Sequence, residues 1–362
     1  MKILGIETSC DETAAALLEI KGGSFKILNN IVASSVELQA EYGGVVPEIA
    51  ARKQVEYIIP VINKALKYNS KINYTRKHSP DYIAVTNGPG LITSLRVGLE
   101  AAKTLSYAWQ IPLIEVNHLE GHIYASAILN NQDIRHKKIP TIKHKIPKWK
   151  FPVLSLIVSG GHTQLVMVKD YLKYKIIGET LDDAVGEAFD KTAKILGLGY
   201  PGGPIISDIA RKGDATKFNL PRPMLNSGDY NFSFSGLKTA VLYLVNKIKK
   251  DKKLTKKQIA DICACFEQAS VDILVKKTAE AAQEYNANTV VIGGGVAANK
   301  KLRDELKLNL KNNLPQVKFI MPKLKFSGDN GAMIAMAGYY KVREKNITNW
   351  KKISANPNLK LS

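Results

Sequence analysis

The sequence predicts an α/β protein of about two domains. Three observations carry that expectation. Short apolar stretches of strand length are followed by longer helical ones, and glycine-rich loops repeatedly close the strand stretches. A chain of 362 residues with 45% hydrophobic content also exceeds what one core usually holds.

Residues 2–18 read as a strand, the tight polar turn Thr8-Ser9-Cys10-Asp11-Glu12, and a second strand. Pro47 opens a helix through Leu66, because proline presets φ and lacks only a donor that the first helical turn leaves orphaned; Pro60 is expected to kink it. A polar connector, 68–80, leads to a strand at 82–86, the loop Asn87-Gly88-Pro89-Gly90, and a helix to about Trp109. The apolar stretch 111–116 is a strand. Asn117 then caps a helix, Glu120 three positions on completes a capping-box pair, and the apolar run 123–129 carries the helix onward.

These elements form a first lobe, 1–125, completed by about 327–345; the second lobe is 126–326. Between Asp133 and Lys150 the text changes, with Arg135, Lys137, Lys138, Lys143, Lys145 and Lys148 and no further acid, broken by Pro140 and Pro147. This is a basic loop or inserted linker, either a nucleic-acid contact or an ordinary lysine-rich surface. In the second lobe, 153–158, the turn Ser159-Gly160-Gly161-His162 and 163–168 form a hairpin. A helix from near Asp182 to Leu196 stops at Gly197. The loop Gly199-Tyr200-Pro201-Gly202-Gly203-Pro204 precedes helices at 205–211, 236–250 and 256–285. A strand at 289–292 meets Gly293-Gly294-Gly295, and a helix begins near Asn299. The loop Phe326-Ser327-Gly328-Asp329-Asn330-Gly331 opens a helix to about Arg343, and 346–362 is a polar tail.

Lys and Arg number 52 against 32 Asp and Glu, and the net charge of +20 would draw a polyanion such as nucleic acid. A general richness in Lys, Asn and Ile is the alternative source of that charge. Cys10, Cys263 and Cys265 are an odd set, the last two too close to bridge, which favours a reducing compartment. No apolar run approaches the roughly 18 residues that span a bilayer, and the chain starts directly into a motif-bearing strand. A cytoplasmic protein with no membrane partner is expected.

His118 and His122 stand four apart, so on a helix they project from one face and can grip one metal ion. In the zinc-protease pattern the general base directly follows the first histidine, and here Leu119 holds that place. Asp329 is a candidate third ligand, or simply a helix cap. Glu7, Asp11 and Glu12 cluster in the first turn and suit a cation, a polar ligand or a proton in transit. Asp190 is a candidate ligand-binding carboxylate, although the neighbouring Glu187 and Lys191 also have the spacing of a surface pair. The pairs and triplets at Ser159-Gly160-Gly161, Gly202-Gly203 and Gly293-Gly294-Gly295 let backbone N–H groups approach phosphate. None matches a P-loop or dinucleotide fingerprint.

Seven motifs in register carry a family resemblance: Gly5-Ile6-Glu7-Thr8-Ser9-Cys10-Asp11-Glu12-Thr13, Asn117-His118-Leu119-Glu120-Gly121-His122, Val158-Ser159-Gly160-Gly161-His162-Thr163, Gly186-Glu187-Ala188-Phe189-Asp190-Lys191, Tyr200-Pro201-Gly202-Gly203-Pro204, Gly294-Gly295-Val296-Ala297-Ala298-Asn299 and Asp329-Asn330-Gly331-Ala332-Met333. The chain resembles the universal family of tRNA threonylcarbamoyladenosine synthesis. That resemblance implies a two-lobed fold of the actin, Hsp70 and sugar-kinase (ASKHA) type, with a nucleotide in the cleft between lobes. It implies an acyltransferase that moves threonylcarbamoyl from threonylcarbamoyl-AMP to the exocyclic amine of adenosine 37 in tRNAs reading codons that start with A. By motif match, Ile157, Val158, Ser159, Gly160 and Gly161 line the adenylate site, Asp190 and Gly203 hold its polar groups, and Asn299 binds it beyond the third glycine loop. His118, His122 and Asp329 coordinate one divalent metal, Fe2+ ahead of Zn2+, and Asp11 or Glu12 accepts the amine proton. The implied partners are tRNA, a paralogous TsaB-like subunit and a small TsaE-like ATPase. A metalloprotease and a kinase or ATPase of the same fold are the alternatives; Leu119 speaks against the first. Against the second, the first turn reads Glu7-Thr8-Ser9 where such kinases carry an Asp-x-Gly-Thr-like sequence.

Overall fold

Two sheets that share a five-strand order, the first extended by a sixth strand, organise the chain. The computed structural model describes residues 1–67, 80–128, 144–251, 253–347 and 349–361. Its elements run β1 (Lys2–Glu7), β2 (Glu12–Lys21), β3 (Ser24–Ser34), α1 (Val36–Glu41), α2 (Pro47–Leu66), β4 (Tyr82–Gly88), α3 (Ile92–Trp109), β5 (Leu113–Asn117), α4 (His118–Ala125) and β6 (His144–Lys145). They continue with β7 (Val153–Val158), β8 (Thr163–Asp170), β9 (Lys173–Glu179), α5 (Val185–Leu196), α6 (Gly202–Ala210), α7 (Ser235–Asp251), α8 (Lys256–Glu284), β10 (Thr289–Gly293), α9 (Lys300–Asn313), β11 (Lys318–Ile320) and α10 (Gly331–Arg343). The chain forms two units, one of Met1–Gln39, Val45–Lys148 and Pro322–Ser362, the other of Ala40–Gly44 and Trp149–Met321.

In the first unit the sheet order among the described residues is β5-β4-β1-β2-β3-β6, with β1, β4 and β5 parallel and β1-β2-β3 a meander. In the second it is β11-β10-β7-β8-β9, again with three parallel strands and a three-stranded meander. The two units thus repeat one topology. In the first, Leu4, Ile6, Ile83 and Val85 of the sheet pack on Ile58, Val61 and Ile62 of α2 and on Leu99 of α3. In the second, Leu154, Leu156 and Leu165 pack among Phe189 of α5 and Phe266 and Ile273 of α8.

Several sequence expectations change. Residues 24–34 form β3, a strand whose half-buried pattern is broken by Asn29 and Asn30; its hairpin turn is Gly22-Gly23, both at positive φ. The helix expected from Pro47 to Leu66 is present as α2, with Pro60 inside it. The histidine helix stops at Ala125 rather than running on to 129. The first unit extends to Lys148, beyond the expected boundary at 125, because β6 pairs with β3. The tail expected to be merely polar is packed: Ile353 and Leu361 are buried, and the Asn356 N–H donates to the Asn87 carbonyl at 2.7 Å. Most of the basic stretch 133–150 and of the connector 68–80 lies outside the described residues. Among those residues no helix is long and apolar enough to cross a membrane.

One close approach places the end of the chain against its start. A Cβ on Gly5 of β1 would lie 2.1 Å from the Gly331 carbonyl oxygen, and one on Gly331 would lie 2.4 Å from the Ala16 nitrogen of β2. The start of α10 therefore rests directly on the β1–β2 backbone. Gly5→Ala is expected to destabilise the first unit by about 1–3 kcal/mol, because backbone rather than a flexible side chain must yield; urea denaturation followed by tryptophan fluorescence checks this.

Candidate functional site

The first unit brings His118, His122 and Asp329 together. Strand β5 runs straight into α4, whose first turn is fixed by the expected capping box: Asn117 Oδ1 accepts from the Leu119 N–H at 2.8 Å, and Glu120 Oε2 accepts from the Asn117 N–H at 3.2 Å. Glu120 also pairs with Lys341 of α10 at 2.9 Å. The Asn117 amide donates to the Lys360 carbonyl at 3.2 Å, so the packed tail braces the same turn. One helical turn apart, the His118 and His122 rings stand 4.5 Å between centroids at 76°.

Asp329 arrives from the loop before α10. The cap of that helix is Asn330, whose Oδ1 accepts from the Met333 N–H at 3.0 Å, so Asp329 is not needed as a cap. Its Oδ1 lies 3.3 Å from His122 Nε2 and 3.6 Å from His118 Nε2. One ligand atom from each of the three residues falls within 4.8 Å of the others. His122 is fully buried, and neither of its ring nitrogens has a hydrogen-bond partner of good geometry. Such orphaned nitrogens beside a carboxylate fit a cation with borderline-soft character, because an unmade hydrogen bond of this kind costs roughly 1–3 kcal/mol.

Electrostatics divides the two imidazoles. Burial opposes a charge on His118, yet the Asp329 and Glu7 carboxylates outweigh it and push its pKa up to about 9. Burial and the neighbouring His118 hold His122 below the usual histidine value.

The first turn sits in the same unit. Gln54 of α2 donates to the carbonyls of Cys10 at 2.8 Å and Glu12 at 3.0 Å, and Ser35 donates to that of Asp11 at 3.0 Å. Asp11 is buried. Burial, Asp329 and Asp11 raise Glu12 well above the usual carboxylate range. Burial and the same acids raise the Cys10 thiol, which removes it as a thiolate nucleophile.

The second unit gathers the expected adenylate residues. Ile157 and Val158 end β7, buried, and Ser159 closes the turn by donating its N–H to the His162 carbonyl at 2.8 Å. A Cβ on Gly294, whose φ is +93°, would lie 2.2 Å from the Val158 carbonyl oxygen, so the third glycine loop packs on the first. Asp190 Oδ1 accepts from the Gly202 N–H at 2.7 Å, tying α5 to the start of α6 beside Gly203. Side-chain space at Gly160, Gly161 and Gly203 is open among the described residues. Asn299 caps α9, and its amide donates to Glu267 at 2.6 Å and Ser207 at 2.9 Å. Its side chain thus has structural work that the sequence did not reveal. Lys191 pairs with Glu187 at 2.8 Å, as the surface-pair reading had it, and also with Asp183 at 2.6 Å, which that reading did not include.

Comparison with known proteins decides the family. The model of the TsaD family, tRNA N6-adenosine threonylcarbamoyltransferase, matches residues 26–336. A protein of that name from Thermosipho africanus is 48% identical over 363 aligned positions, covering 100% of both chains. The chain belongs to the tRNA N6-adenosine threonylcarbamoyltransferase family. Other members from Caldicellulosiruptor saccharolyticus and Geobacillus kaustophilus are 48% and 45% identical, covering 94% and 99% of this chain and 93% and 96% of their own. Among solved structures, full-length HypF in a phosphate- and nucleotide-bound form aligns with a TM-score of 0.58 at 13% identity, over 95% of this chain and 47% of that one. Component A of the (R)-2-hydroxyglutaryl-CoA dehydratase of Acidaminococcus fermentans aligns at 0.50 and 14% identity, over 96% and 99%. These likenesses show the fold alone, of the expected ASKHA type.

Within a tRNA N6-adenosine threonylcarbamoyltransferase the histidine helix carries no protease base. Leu119 is buried where that base would stand, and the Glu120 carboxylate is engaged by Asn117 and Lys341. The raised His118 pKa has a definite sign. A group whose pKa is higher folded than unfolded stabilises the fold fully below its unfolded value, about 6.5, and loses that contribution as pH rises through the folded value. Metal-free protein is therefore expected to lose stability between pH 6.5 and about 9, with His118 cationic and His122 neutral at pH 7.5. Thermal melts across that range and imidazole 15N shifts check both.

Proposed function

We propose that this chain transfers threonylcarbamoyl from threonylcarbamoyl-AMP to N6 of adenosine 37 in tRNAs reading codons that start with A, with one divalent metal held by His118, His122 and Asp329. The trio of two buried histidines and a half-buried aspartate, with His122 making no hydrogen bond of good geometry, is the observation that carries this reading on a chain of this family. In the reaction the N6–carbonyl bond forms, the carbonyl–oxygen bond of the mixed anhydride breaks, AMP leaves, and N6 loses a proton. The adenine amine is a weak nucleophile because its lone pair is delocalised, so orientation and charge stabilisation must supply the rate. A bound Fe2+ or Zn2+, Fe2+ being the preferred ion, supplies Lewis acidity toward an anionic or carbonyl oxygen.

The chain's own groups do the rest. The backbone N–H groups of Gly160 and Gly161 cradle the phosphate, with Ser159 closing the turn beneath them through its N–H and Ile157 and Val158 as their buried support. Asp190 and Gly203 fix the start of α6 at the same site, and Asn299 fixes the start of α9. Glu12, raised by burial and its acidic neighbours, accepts the amine proton, with Asp11 beside it. The net charge of +20 favours the tRNA backbone as partner. A TsaB-like paralogue and a TsaE-like ATPase complete the assembly, which works in the cytoplasm with its tRNA.

Reconstitution of the chain with these partners, threonylcarbamoyl-AMP and tRNA tests the proposal, read by nucleoside mass spectrometry. Modified adenosine is expected, lowered about 100-fold or more in His122→Ala. Absence of product where a reference enzyme is active contradicts the function. Chelation is expected to abolish turnover, with recovery on adding Fe2+ or Zn2+; full activity of chelated protein contradicts the metal.

A further inference from the structure

We infer that Glu7 is a positioning residue that selects the tautomer of His118 and so makes its Nε2 available to a metal. This rests on the metal reading above. Glu7 is the last residue of β1 and is completely buried. Its Oε1 accepts from the Ser9 N–H at 2.5 Å, and its Oε2 accepts from the Thr86 hydroxyl at 2.5 Å. His118 Nδ1 lies 3.1 Å from the same Oε2. Each of these three groups is a donor or able to be one.

The Ser9 hydroxyl is equally close to His118 Nδ1, at 3.1 Å, but a hydroxyl rotates and serves as donor or acceptor. A carboxylate only accepts, so it decides the matter: the proton sits on Nδ1. When the imidazole gives up its second proton to ligate, the Nε2 lone pair, on the side of Asp329 3.6 Å away, is the one exposed to the ion that the trio would hold. A carboxylate behind a ligating imidazole both fixes the ring and raises its basicity, and loss of such a partner typically costs 10- to 100-fold in metal affinity. Thr86 at the end of β4 and the Ser9 amide hold the carboxylate in place, so the parallel strands β1 and β4 orient the histidine of α4.

Glu7→Gln is the informative change because it preserves shape while reversing one arm. With the amide oxygen retained toward the Ser9 N–H, the amide nitrogen faces Thr86 and His118. The hydroxyl can turn to accept, whereas His118 can accept only by moving its proton to Nε2, which blocks that nitrogen as a ligand.

The experiment uses full-length protein stripped of metal and titrated with Zn2+ against a chromophoric chelator. The His118 tautomer is read in the zinc-saturated protein by long-range 1H–15N correlation, with circular dichroism as the fold control. Wild type is expected to bind Zn2+ with the His118 proton on Nδ1, Glu7→Gln to bind 10- to 100-fold more weakly, and Ser9→Ala to keep both the tautomer and the affinity within threefold. Equal affinity in wild type and Glu7→Gln overturns the inference and leaves the metal reading standing. Failure of wild type to bind Zn2+ overturns both. Should Glu7→Gln not fold, a wild-type proton on Nε2, or ligation through Nδ1, is enough to overturn the role assigned to Glu7.

Discussion

The contact of Gly331 with the β1–β2 backbone is the constraint on which the site depends. Gly5 and Gly331 lack side chains where the start of α10 meets the sheet, so the two backbones touch. That contact fixes the loop preceding α10, and Asp329, two residues earlier, is brought beside the two histidines of α4. A candidate ligand set drawn from residues over 200 positions apart in sequence is thereby held by a strand pair and two helices rather than by loops alone.

Burial gives the site its chemistry and its need. Against its burial, Asp329 and Glu7 keep His118 charged, while burial, Asp329, Asp11 and Glu7 raise Glu12. Buried like charges are costly unless a cation offsets them. The proton on His118 meets part of that demand in the metal-free protein, and a divalent ion would meet more of it. The same environment that favours an ion thus also prepares a carboxylate to take up a proton.

Local signals in the sequence were faithful guides. Pro47 began a helix, Asn117 and Glu120 formed their capping box, Gly197 ended α5 in the left-handed conformation, and the Ser159-Gly160-Gly161-His162 turn closed a hairpin. Long-range features were illegible. β3 hides behind Asn29 and Asn30, and its burial comes from pairing with β2 rather than from its own alternation. Ile353 and Leu361 look isolated in polar text, and only their anchoring beside Asn87 and Asn117 shows the tail to be packed. Nothing in the sequence says that Asn330 rather than Asp329 caps α10, or that Asn299 bridges Glu267 and Ser207. The Glu7–His118 contact spans 111 residues and leaves no periodic trace. It also gives a physical meaning to the glutamate in the first turn, whose carboxylate is committed to Ser9, Thr86 and His118.

Anomalous diffraction from crystals of anaerobically purified protein tests the central claim most directly. Data on either side of the iron and zinc edges are expected to show one peak shared by His118 Nε2, His122 Nε2 and Asp329. A metal peak bound elsewhere, or none at these residues in protein that carries stoichiometric metal and is active, would contradict the account.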